Sequence, residues 1–201
     1  MSNVQFKGFS KDILLIDFES TGFKNDPTTK DVIDPGEPTQ LGAILLDAIT
    51  LEEKSEFISD IKADPALLDP WVLENTDITI ERVTSAPDHQ SVAKKFVDQF
   101  GLDVYLATWN VTFDRAWLDV LMQSIDRRDT MYDYHHLDVW SLAYTHLCKL
   151  GHPEIIKSED TFAFFGQSAR TAHNALDDCR RTAEVLRAII NESLFNETNP
   201  S

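Results

Sequence analysis

Long hydrophobic runs, an N-terminal leader pattern and cysteine are all scarce in this sequence. No apolar run approaches the roughly 20 residues that a helix needs to cross a bilayer. The first residues, MSNVQFKGFSKD, lack the basic region and apolar core of a signal peptide. The only two cysteines, Cys148 and Cys179, are too few for a disulfide framework in a chain of 201 residues. We therefore expect a protein without a membrane span, in a reducing cytoplasmic environment.

Basic residues are also few. The chain has 18 lysine and arginine residues against 34 aspartate and glutamate residues, which gives a net charge of −16. This balance argues against non-specific binding to nucleic acid, because affinity for the phosphate backbone normally comes from clustered basic side chains. Two interpretations remain open: a well-solvated acidic surface, or carboxylates gathered to hold divalent cations through which an anionic substrate binds.

Short apolar segments come early in the chain and then alternate with amphipathic segments. The pattern predicts five strands, at 13–18, 39–47, 53–61, 104–108 and 136–139. Helices are predicted at 88–100, from 110 onwards, from 139 to about 150 and at 175–190, with small helices within 64–87 and a loop or hairpin tip at 24–38. This order predicts one α/β domain over residues 1–190, with a mixed sheet flanked by helices, followed by a polar tail at 191–201.

Asp17 and Glu19 end the first predicted strand, in the segment DFESTG. Side chains two residues apart in a strand point to the same face, and two carboxylates on one face repel each other unless a positive charge lies between them. Ser20, Thr21 and Gly22 follow, and they predict a tight turn whose backbone can approach a ligand closely. The alternative interpretation of the pair is one turn cap and one solvated carboxylate.

The segment TWNVTFDRAWL places Asn110 and Asp114 at the start of a helix that follows a strand. In open α/β sheets, ligands bind just beyond the carboxyl ends of the strands. An asparagine cap and an aspartate in the first helical turn are also common structural features. This segment alone therefore does not distinguish a site from an ordinary helix start.

The segment TAHNALDDCRRT lies at the start of the last predicted helix. At about 100° per residue, Asp178 falls at the border of the apolar face, whereas Asp177 points to water. His173 precedes the helix and is able to lie over the same site. A surface or capping histidine is the alternative interpretation of His173 taken alone.

Together, the three patterns DxE, NxxxD and HxAxxD, in this order, resemble those of the DEDD exonuclease superfamily. The histidine, in place of a tyrosine, is typical of its DEDDh branch, which includes RNase T, oligoribonuclease and the proofreading exonuclease subunit of bacterial replicative polymerase. The resemblance extends from residue 13 to residue 186 and includes the connecting segments QLGAILLD, ITIERVTSAP and HHLDVWSLA. It implies an RNase H-like fold, with a five-stranded mixed sheet flanked by helices.

The resemblance also implies the roles of five residues. It assigns one general base, His173, and four metal-holding carboxylates: Asp17, Glu19, Asp114 and Asp178. Carboxylate oxygens suit Mg²⁺ or Mn²⁺, and two such ions clamp the attacking and leaving oxygens of a phosphoryl displacement. The activity implied is 3′-to-5′ exonuclease cleavage, which releases nucleoside 5′-monophosphates from the 3′ ends of single-stranded nucleic acid.

The substrate is expected to bind beside these residues. The terminal nucleotide is expected to contact Asn110, the ring of Phe23 and the turn formed by Ser20, Thr21 and Gly22, since stacking on a ring tolerates any base. Ordinary packing is the alternative interpretation of Phe23. The expected partners are single-stranded DNA or RNA 3′ ends or short oligonucleotides, with a protein partner or a homodimer also possible.

Three functions fit the sequence. A DNA exonuclease is favoured, because DFESTG looks closer to the proofreading-type members. An exoribonuclease or oligoribonuclease of the same fold is the first alternative, since the contacts to the 2′-hydroxyl that distinguish RNA cannot be located in the sequence. The second alternative is a catalytically silent nucleic-acid-binding module, and the presence of all five expected catalytic side chains argues against it.

Overall fold

The computed structural model describes residues 6–22, 24–25, 28, 32–34, 36–126, 132–169 and 173–195. In chain order, its strands are β1 (Ile13–Ser20), β2 (Lys24–Asn25), β3 (Val32–Asp34), β4 (Pro38–Leu46), β5 (Glu53–Asp60), β6 (Tyr105–Thr108) and β7 (Leu137–Asp138). The central sheet has the order β5-β4-β1-β6-β7, and β2 and β3 form a separate hairpin. β4 is antiparallel to β1 and β5, whereas β6 is parallel to β1 and β7. The predicted mixed five-stranded sheet is therefore confirmed.

Helices occupy most of the chain between and after these strands. They are α1 (Pro70–Asn75), α2 (Ile80–Ser85), α3 (His89–Phe100), α4 (Val111–Gln123), α5 (Val139–Leu150), α6 (Ser158–Phe164) and α7 (Ala175–Phe195), with a 3-10 turn at Pro65–Leu67. Side-chain oxygens cap the first turns of five of these helices, because the first backbone N–H groups of a helix have no partner within it. The capping residues are Asp69, Thr79, Asp88, Asp138 and Asn174.

Helices cover both faces of the sheet because β1 is apolar on both faces. Its residues Ile13–Ile16 are fully buried, as expected of a central strand between two helical layers. On one face, Leu14 and Ile16 share a core with residues of α3 and α4. On the other face, Ile13 and Leu15 share a core with residues of α5 and α7. β1 therefore runs through the middle of the molecule, and its carboxyl half carries the first polar residues, Asp17 and Glu19.

Two helices differ from the sequence-based prediction. α7 continues to Phe195, past the predicted end at Ile190, so the predicted tail begins inside the helix. The sequence has no glycine or proline between Ile190 and Phe195 that would stop the helix. α6 was not predicted, since its seven residues are too few for a periodic apolar pattern. Within the described residues, no helix is long and apolar enough to span a bilayer.

Candidate active site

The carboxyl end of β1 carries the first two predicted site residues. Asp17, Phe18 and Glu19 all line a cavity of about 500 Å³, and the Phe18 side chain also contributes to the core on the opposite side of the sheet from Ile13 and Leu15. The pleat of the strand produces this alternation, since successive side chains point to opposite faces. The predicted shared face of Asp17 and Glu19 is therefore confirmed.

Asp114 lies in the first turn of α4, directly beneath this strand end. Its side chain is only 2% exposed, and its Oδ1 accepts a hydrogen bond of 3.1 Å from the backbone N–H of Phe18. Burial raises the pKa of Asp114 to about 7, against the lowering effect of the hydrogen bond from the Phe18 N–H. A carboxyl in this environment gains from a nearby cation, because the cation offsets the cost of keeping it ionised.

Asp178 reaches the same cavity from the first turn of α7. It is 7% exposed and lines the cavity, whereas its neighbour Asp177 has a side chain that is 73% exposed. α7 lies close to β4 at Gly42, where an added Cβ would come within 2.3 Å of the Ala175 carbonyl carbon. Gly42 is paired with Asp17 in the sheet, so this close approach places the start of α7 beside Asp17.

His173 precedes α7 and faces Asp178. Its Nδ1 lies 3.8 Å from Asp178 Oδ2, and its side chain is 26% exposed. The ring of Trp71 contacts the His173 ring edge-on, with 5.4 Å between ring centroids. The imidazole is therefore held between an indole ring and a carboxylate at the wall of the cavity.

These donor groups fit a divalent metal ion. Glu19, His173 and Asp178 each offer a ligand atom, and the three atoms lie within 4.8 Å of one another. Asp17 lines the same cavity. Asp114 accepts a hydrogen bond from the backbone N–H of Phe18, the residue between Asp17 and Glu19. Mostly oxygen donors favour hard cations such as Mg²⁺ or Mn²⁺ over Zn²⁺.

The turn after β1 is fixed by hydrogen bonds. Ser20 and Gly22 line the cavity, and Ser20 Oγ accepts a hydrogen bond from the Gly22 N–H. Thr21 is only 1% exposed, and its Oγ1 accepts a hydrogen bond of 2.9 Å from the Glu37 N–H. Gly22 has φ +93°, and an added Cβ would lie 2.8 Å from Asp69 Cβ. Thr21 therefore stabilises the turn, whereas Ser20 and Gly22 are the turn residues placed to contact a ligand.

Among the described residues, one further predicted substrate contact lies outside the cavity wall. Asn110 is exposed and is not among the residues that line the cavity. It occupies the capping position of α4 without a side-chain capping bond, and the Val111 N–H donates instead to Asp138 Oδ2. Phe23 lies outside the described residues. Contact of substrate with Asn110 and Phe23 stays a prediction.

Aromatic side chains form much of the cavity wall, among them Trp71 and Phe162, which the sequence did not assign to the site. Trp71, from α1, is 54% exposed and lines the cavity. Trp109 stacks on Phe162 with 4.3 Å between centroids, and its Nε1 donates to Ser158 Oγ. Phe162 and Ser158 belong to the unpredicted α6, and no local pattern distinguishes Trp71 from a packing tryptophan.

This fold and this group of carboxylates define an α/β nuclease of the RNase H-like class. The family model RNase_T, described as exonuclease, matches residues 14–186. The chain therefore belongs to the RNase T exonuclease family and is a nuclease hydrolase. The resemblance to the DEDD superfamily is confirmed.

Solved structures support the same fold. Cell-death related nuclease 4 (CRN-4) has a TM-score of 0.74 at 17% identity, covering 94% of this chain and 66% of that one. The nuclease domain of 3′hExo, a DEDDh family member bound to rAMP, has a TM-score of 0.73 at 20% identity, covering 92% of this chain and 94% of that one. E. coli exonuclease I in complex with a dT13 oligonucleotide has a TM-score of 0.67 at 16% identity, covering 94% of this chain and 43% of that one.

The chain is shorter than two of these proteins. It spans 66% of CRN-4 and 43% of exonuclease I. No curated protein sequence matches it. At these identities the solved structures establish the fold, and substrate and mechanism are argued from the residues of this chain.

Proposed function

We propose that this protein is a metal-dependent 3′-to-5′ exonuclease that releases nucleoside 5′-monophosphates from single-stranded nucleic acid. The observation that carries the proposal is the convergence of Asp17, Glu19, Asp178 and His173 on one cavity. A silent binding module has no need of these four side chains in one place. The family assignment supports the same reaction class.

Four carboxylates hold two divalent cations in this proposal: Asp17, Glu19, Asp114 and Asp178. When bound, Mg²⁺ or Mn²⁺ ions neutralise the phosphate charge and stabilise the attacking and leaving oxygens of the displacement. Asp114 supports this arrangement from below, since its hydrogen bond to the Phe18 N–H fixes the strand between Asp17 and Glu19.

His173 is the proposed general base. An attacking water gives its proton to an imidazole nitrogen of His173, its oxygen bonds to phosphorus, and the bond to the 3′ oxygen of the preceding nucleotide breaks. An imidazole suits this step because its ordinary pKa, about 6.5, lies close to neutral pH. The contact with Asp178 orients the ring, and the imidazolium formed is stabilised by that carboxylate.

The terminal base is proposed to stack against the aromatic wall. Trp71 and the stacked pair Trp109 and Phe162 present ring surfaces at the cavity. Stacking requires no particular base, so this wall supports cleavage without sequence preference. Ser20 and Gly22 lie at the same cavity and offer polar groups to the sugar of the terminal nucleotide.

DNA is the proposed substrate, and RNA is the second candidate. The favoured DNA substrate rests on the resemblance of DFESTG to proofreading-type members. RNA is supported by the likeness to the nuclease domain of 3′hExo, a structure bound to rAMP, of which this chain covers 94%. The sugar of RNA has a 2′-hydroxyl that the sugar of DNA lacks, so a pair of substrates matched in their bases separates the two candidates.

The test uses purified protein with matched 5′-labelled single-stranded DNA and RNA, in Mg²⁺, in Mn²⁺ and in EDTA. We expect a metal-dependent ladder that shortens from the 3′ end, with the preferred sugar degraded faster. Asp17→Asn and His173→Ala should each slow cleavage by about 100-fold or more.

Asp177→Asn is the matched control, because it removes an aspartate next to Asp178 whose side chain points to solvent. It should cleave at the wild-type rate. No shortening of either strand with any metal would contradict the proposal and favour a binding module.

A further inference from the structure

A network of hydrogen bonds and ion pairs lies behind the cavity, beginning at the buried side chain of Gln40. Gln40 is paired with Glu19 across the sheet and is fully buried. Its Oε1 accepts a hydrogen bond of 3.0 Å from the N–H of Ala175, the first residue of α7. Its Nε2 donates a hydrogen bond of 3.0 Å to Asp60 Oδ1. One amide therefore joins the start of α7 to the end of β5.

Arg82, on α2, extends this connection. Its Nε and one terminal nitrogen donate to the two oxygens of Asp60, at 2.8 and 2.6 Å. The other terminal nitrogen donates to the Asp77 carbonyl oxygen at 2.6 Å and pairs with Asp77 Oδ2 at 2.8 Å. A planar guanidinium suits this position, because its fixed donors serve two carboxylates at once.

Asp77 completes the connection to His173. Asp77 Oδ2 accepts a hydrogen bond of 3.0 Å from the Asn174 side chain. The backbone N–H of Asp77 donates to the His173 carbonyl oxygen, and the His173 N–H donates to the Asn75 carbonyl oxygen at 2.9 Å. The backbone of His173 is thus held on both sides by the segment that Arg82 anchors. We call the side chains of this ring the Arg82 network: Gln40, Asp60, Arg82, Asp77 and Asn174.

We propose that the Arg82 network is a positioning device for His173. The inference rests on the proposed function, in which His173 removes a proton from water. None of the five side chains of the network lines the cavity. The network fixes the backbone at His173 and the start of α7 relative to β4, and those two constraints set where the imidazole lies against Asp178.

Arg82→Gln tests this inference. Loss of the guanidinium frees Asp77 and Asp60 from their shared partner, and the His173 backbone then moves more widely. We expect kcat to fall on the order of 10- to 100-fold, the range for residues that orient a reacting group from behind. KM should stay within about twofold, because the network makes no substrate contact. Arg82→Lys should have a higher kcat than Arg82→Gln, since lysine keeps the positive charge although it lacks the planar guanidinium with its several donors.

The matched control is Arg187→Gln. Arg187 also binds a carbonyl oxygen and a carboxylate, at Leu51 and Glu184, and it lies about three helical turns beyond the start of α7. It should lower stability without lowering kcat. Amide hydrogen exchange at His173 and Asp77 gives a readout independent of activity, and we expect faster exchange in Arg82→Gln than in Arg187→Gln.

A double-mutant comparison separates positioning from general damage. In a His173→Ala background, Arg82→Gln should cause no further fall in kcat, because the group that it positions is gone. An equal fall in both backgrounds, an unchanged kcat or unchanged exchange at His173 would each overturn the inference. If the wild type cleaves nothing, the proposed function fails, and hydrogen exchange alone then decides whether Arg82 holds the His173 segment.

Discussion

Neighbouring residues of one type take different roles at the start of α7. Asp178 is buried against the cavity, whereas the side chain of Asp177 is largely exposed. Helical periodicity predicts this difference, because the apolar positions of the helix fix its orientation on the sheet. The same periodicity contains no information on which residues of another element approach the helix, so the contact between His173 and Trp71 could not be predicted.

Trp71 is the clearest case of a functional candidate without a sequence signal. It is the second residue of α1, where Asp69 Oδ1 accepts a hydrogen bond from its N–H. Half of its surface is exposed, at the mouth of the cavity. An indole ring exposed at a proposed nucleotide site has a free face for a base.

We predict that Trp71→Ala weakens substrate binding. Loss of one base-stacking contact costs about 1–3 kcal/mol, which corresponds to a rise in KM of roughly 5- to 150-fold. Trp71→Phe should keep part of the affinity, since it retains a ring. Steady-state kinetics on a single-stranded substrate measures both.

Trp140→Ala is the matched control for this prediction. Trp140 stacks on Tyr144 and does not line the cavity, so its loss should leave KM unchanged. An unchanged KM in Trp71→Ala would mean that the terminal base lies elsewhere, with the stacked Trp109 and Phe162 as the remaining candidates.

The sequence predicts which strands and helices build the site more reliably than it predicts where each of them ends. β1, β4 and β6 follow the apolar pattern closely, because buried strands need continuous apolar residues, whereas the edge strand β5 is mostly exposed and shows only partial alternation. α7 extends past the predicted end, and α6 was missed, although Phe162 from α6 forms part of the cavity wall. A helix of two turns is stabilised by its packing rather than by its own sequence, so local patterns do not reveal it.

The close approach of α7 to β4 determines where Asp178 lies. Gly42 permits the approach, since an added Cβ would overlap the backbone of Ala175 and Leu176 at 2.3 and 2.4 Å. Gly42 pairs with Asp17, so α7 crosses the sheet directly beside the first proposed metal ligand. The absence of a side chain at Gly42 therefore sets the distance between Asp17 and Asp178, two of the proposed metal ligands.

We predict that Gly42→Ala moves the start of α7 away from the sheet. The overlap should lower the free energy of unfolding by about 1–3 kcal/mol, as other overpacked sites do. Cleavage and metal affinity should fall by more than the unfolded fraction explains, because Asp178 and His173 shift with the helix. Urea unfolding and metal titration on the same samples measure the two effects.

Gly101→Ala provides the control for Gly42→Ala. Gly101 has φ +65° at the end of α3, with no heavy atom near an added Cβ, so alanine there causes backbone strain alone. It should lower stability and leave cleavage unchanged. Equal cleavage by Gly42→Ala and the wild type would contradict the proposed role of the helix approach.

For the whole molecule, the acidic residues divide between the cavity and the surface. Four carboxylates line the cavity, at Asp17, Glu19, Asp69 and Asp178. Other carboxylates lie in ion pairs on the surface, such as Asp12 with Lys54. The net charge of −16 is thus partly a property of the proposed metal site and partly one of the solvated surface, where single ion pairs contribute little to stability.

The ion pair of Asp60 and Arg82 differs from those surface pairs because it is partly buried. Burial opposes the ionisation of Asp60, but hydrogen bonds from Arg82 and Gln40 outweigh it and hold the pKa of this carboxyl below its ordinary value of 3.8. The folded protein thus keeps Asp60 ionised to a lower pH than the unfolded chain does. Its stabilising contribution is present above the ordinary pKa and is lost as the pH falls through the lowered one.

We therefore predict that Asp60→Asn lowers stability at neutral pH but not in strong acid. The wild type should exceed the variant by about 1–3 kcal/mol at pH 7, the range for hydrogen bonds to charged groups. The difference should shrink towards zero once the pH falls below the lowered pKa, because protonated Asp60 no longer pairs with Arg82. Urea unfolding of both proteins across this range measures the difference, with Asp177→Asn as the control for removing one negative charge. A constant difference down to the lowest pH would mean that shape at position 60, not charge, stabilises the fold there.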